Sequence, residues 1–232
     1  LKTRFLTRDK NSYNVIAELP GTDPVLKDQI VMIGAHLDSW HAGTGATDNA
    51  DGSAVVMEAL RILKSIGARP KRTIRVALWS GEEEGLLGSK AYVARHLTGD
   101  ANKSEREKFD VYFNLDPGTG PIYGWYLENN EAVRPIFDQW LDQFHDVASR
   151  KNIIQPIGNT DHLSFIAVGI PGFNAVQDYT NYDVRTHHTN VDTFERVNLT
   201  ELRQCAVVMA SFAYLAAMRT ERIPFTASTP PR

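Results

Sequence analysis

Cysteine is all but missing from this chain of 232 residues: Cys205 stands alone. That excludes an internal disulfide and a metal centre built on thiolates, and Cys205 itself reads as a small core residue. No apolar run reaches the ~18 residues that a membrane-spanning helix needs. The longest candidate, CAVVMASFAYLAAM (Cys205–Met218), is shorter and reads as a buried helix. Positive charge is not in excess either. The net charge is −3 and the pI about 6.2, so the basic footprint of a nucleic-acid-binding protein is absent. GTGATD (Gly43–Asp48) lacks the third glycine of a dinucleotide fingerprint and no P-loop lysine follows it. It reads as a flexible cleft loop. No internal repeat, low-complexity tract, signal peptide or lipidation motif is found. The first residue is Leu1, and the opening reads as cut from inside a strand, as in a fragment of a longer precursor.

What the chain does have is an alternation of strand-like and helix-like segments. YNVIAELP (13–20), QIVMIGAHLD (29–38), TIRVALWSG (73–81), DVYFNLD (110–116), IYGWYLE (122–128) and IPGFNAV (170–176) read as strands. Helical spacing of apolar residues runs through 53–67, 86–97, 131–145 (despite Pro135) and 199–218, the last with Asn198 and Glu201 placed as a capping box. The alternation predicts an α/β fold, a single-domain three-layer αβα sandwich on a mostly parallel, mixed central sheet. The domain is expected over 1–222, with an irregular tail over 223–232.

In such sheets ligands bind beyond the carboxyl ends of the strands. His36 and Asp38 stand at one end, Glu82, Glu83 and Glu84 at another, and Asp116 at a third. Asp48 lies in a loop before a helix, and His187, His188 and Asp192 lie in a late loop. Carboxylates and imidazoles without cysteine suit Zn²⁺, or Mn²⁺ or Co²⁺. Crowded carboxylates persist together only if cations neutralise them or some stay protonated. The set exceeds one tetrahedral site, and a carboxylate-bridged metal pair would use it.

The segments GAHLDS, ATDNADG, SGEEEGLLGS, NLDPG and HHTNVDT occur in the order found in the zinc aminopeptidases of peptidase family M28, which this chain resembles from about Tyr13 to Thr193. HLDSW and YDVRTHHTNVDT look most like the carboxypeptidase Q branch, whose members cleave dipeptides and unblocked short peptides. The resemblance implies a zinc-exopeptidase-like fold and two Zn²⁺ per chain, with Co²⁺ or Mn²⁺ as substitutes. His36 and Asp116 would bind one metal, Glu83 and His188 the other, and Asp48 would bridge them. Glu82 would be the general base. On an extended strand adjacent side chains point opposite ways, which would let Glu82 reach the water and Glu83 the metal, leaving Glu84 to solvent. Asp38 is expected to orient His36, and Asp192 to do the same near His188.

NTDHLSF resembles a family segment beside the active site, so Asp161 and His162 are candidates to line the cleft, and Arg185 is a candidate for a substrate carboxylate. The aromatic residues Trp125, Tyr126, Phe137, Trp140 and Phe144 read as packing. The expected function is hydrolysis of dipeptides or short peptides with a free N-terminus, by a metallopeptidase that is secreted or periplasmic. Its expected partner is a peptide, with no nucleic acid and no membrane span. An upstream protease-associated domain, common in the family, is not visible in these residues. Two alternatives stay open: a glutaminyl-cyclase-like acyltransferase and a non-catalytic binding domain on the same fold.

Overall fold

A computed structural model describes residues 2–4, 9–116, 118–144, 151–178 and 181–225. Its frame is a six-stranded sheet in the order β1-β3-β2-β4-β6-β5. The strands are β1 (Val15–Leu19), β2 (Ile30–His36), β3 (Thr73–Trp79), β4 (Phe109–Asn114), β5 (Thr119–Tyr126) and β6 (Gly172–Asp178). β3, β2, β4 and β6 are mutually parallel, whereas β1 and β5 run antiparallel at the two edges. The helices are α1 (Asp51–Ser65), α2 (Leu87–His96), α3 (Lys103–Arg106), α4 (Arg134–Leu141), α5 (His162–Ile166) and α6 (Leu199–Met218).

The alternation of side chains along a strand sorts these elements into layers. Val31, Ile33 and Ala35 of β2 face one core with Val55, Val56, Ala59 and Leu63 of α1, Phe137 of α4 and Phe212 of α6. Ile30 and Met32 face the other, with Val93 beside α5's Phe165. β2 is buried on both faces throughout, as expected of a central parallel strand. Trp125, Phe137 and Trp140 are buried in the first core, so they pack rather than meet ligand.

The segment read as one helix over 131–145 is a 3₁₀ turn at Glu131–Val133, the helix α4, and a second turn at Asp142–Phe144; His145 lies outside the described residues. Pro135 falls in the first turn of α4, where its missing N–H costs nothing. α6 has the predicted bounds, and the Asn198 side chain accepts from the amides of Thr200 and Glu201. Ile223, assigned to the tail, is buried and donates its amide to Asp110. Among the described residues no helix is long and apolar enough to cross a membrane.

Candidate metal centre

Because β2, β3 and β4 are parallel, their last residues share one rim, with His36 opposite Trp79. His36 is fully buried there. Its Nδ1 lies 3.0 Å from the Asp38 carbonyl and 3.5 Å from Asp38 Oδ1. Those acceptors hold the ring by Nδ1 and aim Nε2 at the rim. Nε2 lies 3.1 Å from Asp48 Oδ1 and 3.3 Å from Asp116 Oδ1.

Asp48 reaches this point from a tight turn over Ala46–Ala50, in which the Asp48–Asn49 peptide is cis. Two side chains pin the turn. The Asp192 carboxylate accepts from the amides of Thr47 (2.7 Å) and Asp48 (3.1 Å). The Asn49 amide donates to the Leu115 carbonyl at 2.9 Å, just past the end of β4. Gly52 is required by this closeness: a Cβ there would stand 2.0 Å from Asn49 Oδ1 and 2.8 Å from the Leu115 carbonyl. The GTGATD stretch is therefore not the loose loop its composition predicts, since Thr44 also donates twice to the Asp192 carbonyl.

The three glutamates also sit differently from the expectation. β3 stops at Trp79, and Gly81, in the left-handed region at φ 71, turns the chain out of the sheet. The strand pleat therefore cannot separate Glu82 from Glu83. Asp38 fixes both, because its two oxygens accept the Glu82 and Glu83 amides at 3.1 Å each. Glu82 is buried and Glu84 exposed. Glu83 Oε2 lies 2.9 Å from His188 Nε2, while Glu83 Oε1 is buried without a hydrogen-bond partner among the described residues.

His188 Nε2 is also 3.6 Å from Asp48 Oδ2. Its backbone is left-handed at φ 55, an uncommon state for a residue with a side chain. Its ring stacks on Trp40, with centroids 4.5 Å apart and planes at 9°. Asp48 thus points one oxygen at His36 and Asp116 and the other at His188. Two potential cation-holding groups share it: His36, Asp48 and Asp116, and Asp48, His187 and His188, each with ligand atoms within 4.8 Å of one another.

The electrostatics of the cluster follow from burial and from its crowded carboxylates. Burial, and then the Asp116 charge, push Glu82 up to about 9. Burial and the Asp48 charge push Glu83 up to about 7. Burial opposes ionisation of Asp38 too, but His36 and the two glutamate amides hold it down at about 2. His36 is raised well above its usual value: burial works against its charge, yet Asp116, Asp38 and Asp48 outweigh it. Divalent cations among these groups would reverse the carboxylate shifts. The orphaned Glu83 oxygen, the oriented His36 ring and the oxygen-and-imidazole donor set all fit such ions.

A cavity of about 970 Å³ opens over the cluster, lined by Asp48, Glu82, Glu83, Asp116 and His188 and continuing between α2 and α5. The three predicted substrate contacts do not line it. Asp161 is fully buried beneath, with both carboxylate oxygens lacking a hydrogen-bond partner among the described residues, and burial pushes it up to about 7. His162 turns away, its Nε2 3.2 Å from Glu128 Oε1. Arg185 lines a separate cavity of about 160 Å³ with Arg196. Asp192 holds the Asp48 turn rather than His188. Two contacts escaped the sequence reading. Tyr182 donates to Asp48 Oδ2 at 2.7 Å across 134 residues, and no local pattern signals such a bond. Trp40 lies in the quoted HLDSW word, and its 41% exposure marks a large aromatic with no core role.

The family model described as Peptidase family M28 matches residues 14–213. Carboxypeptidase Q of Xenopus laevis is 31% identical over 216 residues, 93% of this chain and 44% of that protein, so the chain spans less than half the relative's length. A peptidase M28 precursor from Shewanella amazonensis superposes with a TM-score of 0.77 at 36% identity, over 95% of this chain and 47% of that one. A zinc aminopeptidase from Bacillus subtilis gives 0.72 at 27% identity, over 90% and 51%.

Proposed function

The chain belongs to peptidase family M28, and from that premise we propose that it is a metal-dependent exopeptidase cleaving dipeptides or short peptides with a free N-terminus. The observation that carries the reading is the division of Asp48 between two donor groups, with Glu82 lining the same cavity. His36 and Asp116 would hold one cation and Glu83 and His188 the other, with Asp48 placed between the two groups. Zinc is the expected ion, and Co²⁺ or Mn²⁺ would suit the same donors. Two bound cations would supply an acidified water and a polarised peptide carbonyl.

The chain's own residues do the rest. Glu82 takes the proton shed by the attacking water and returns it to the leaving amine. Asp38 holds the His36 ring and, through both amides, the stretch that carries Glu82 and Glu83. Asp192 and Tyr182 hold the bridging carboxylate from its backbone and its side-chain ends. Asp161 lies behind this layer as a buried acid beneath the cavity. The test is elemental analysis of the full chain paired with a cleavage assay. Two metals per chain and chelator-sensitive, zinc-restored cleavage of a free but not an N-acetylated dipeptide are expected. No metal and no cleavage after zinc return would overturn the reading.

A further inference from the structure

The cavity above the cluster is charged at one end and apolar along its length. Past Glu82 and Glu83 it runs between Leu86, Val93 and Ala94 on the α2 side and Leu163, Ala167 and Val168 on the α5 side. Its charged lining residues are four carboxylates (Asp48, Glu82, Glu83, Asp116) and Lys90. Lys90 is exposed, forms no ion pair among the described residues, and donates to the Gly85 carbonyl at 2.9 Å.

That bond ties its ammonium to the turn that carries the glutamates. Gly85 is two residues beyond Glu83, a span of at most about 7 Å. An ammonium has three donors, so the rest remain available at the cavity mouth. Two divalent cations would balance the four carboxylates, and Lys90 would then set the sign of the cavity. Apolar walls beside it strengthen an ion pair relative to open water.

We propose that Lys90 binds the free C-terminal carboxylate of the substrate, making this cavity selective for unblocked dipeptides over longer or amidated peptides. The inference rests on the exopeptidase reading and assigns the side of the scissile bond that reading leaves open. With the scissile carbonyl at the cluster, the carboxylate of a dipeptide would lie one residue further on, and Lys90 is the lysine or arginine that lines this cavity among the described residues.

The test compares zinc-loaded wild type, Lys90→Met and Lys90→Glu on alanyl-leucine and on its C-terminal amide. Wild type should favour the free acid by about tenfold in kcat/KM, mainly through KM. Lys90→Met should bring the two substrates to near parity, and Lys90→Glu should invert the preference. Equal use of both substrates by wild type, or an unchanged preference in both variants, would overturn the assignment while leaving the exopeptidase intact. Cleavage of neither substrate by wild type would sink both.

Discussion

Stripping the cations with a chelator should make this protein's stability fall as pH rises. In the metal-free cluster Glu82 is pushed from 4.5 up to about 9, while in the unfolded chain it ionises near 4.5. Between those values the folded state holds more protons than the unfolded one, so stability declines with pH. At ~1.4 kcal/mol per unit, the shift of Glu82 amounts to roughly 6 kcal/mol by pH 9, comparable with the ~5–15 kcal/mol that holds a whole domain. Glu83 and Asp161, each raised to about 7, act in the same direction. So does His36: its raised value gives stability that is whole below ~6.5 and lost as pH climbs through the folded value. Asp38 and Asp48 are lowered and have the opposite sign, but their contribution is complete above about pH 5. Thermal unfolding of chelated protein at pH 5.5, 7 and 8.5 should show a melting temperature dropping by on the order of 10 °C, at ~2–4 °C per kcal/mol for a domain of this size. Zinc-loaded protein should stay nearly flat over that window, and Glu82→Gln should lose part of the slope when chelated, the remainder coming from Glu83, Asp161 and His36. A chelated wild type whose melting temperature is flat or rises with pH would refute the cause assigned to these shifts.

Three further outcomes are expected. Glu82→Gln should keep both metals and lose activity by about 10²–10⁴-fold, whereas Asp48→Ala should lose metal in elemental analysis; normal turnover by Glu82→Gln would remove it as the base. Tyr182→Phe deletes a hydrogen bond to a charged group, worth about 1.5–3 kcal/mol, so its metal affinity in a competition titration with a coloured chelator should fall by at least tenfold, and an unchanged affinity would make the bond incidental.

The features readable in the sequence were those written locally. The bounds of α6 follow from an apolar stripe with Asn198 before it. The common rim follows from strand–helix alternation, because parallel neighbours end on the same side. What the sequence hid is long-range or backbone-made. Gly81 turns the chain before Glu82, so a pleat argument extended past Trp79 gave the wrong reason for the placement of the glutamates. Asp192 stands four residues from His188, yet it bonds to amides some 145 residues earlier. Arg185, in the same loop, faces a different cavity. No period or spacing foretells which side of a loop faces inward.

The Trp40–His188 stack has an optical consequence. Of the four tryptophans, Trp79 and Trp125 are fully buried and Trp140 nearly so, while Trp40 is 41% exposed. Its emission therefore lies to the red of the other three, and its ring lies face to face with a single imidazole. A change in the His188–Glu83 contact is therefore expected to show in the emission of Trp40, read as the difference between wild type and Trp40→Phe. The protein carries a built-in, label-free gauge on one arm of its candidate metal centre.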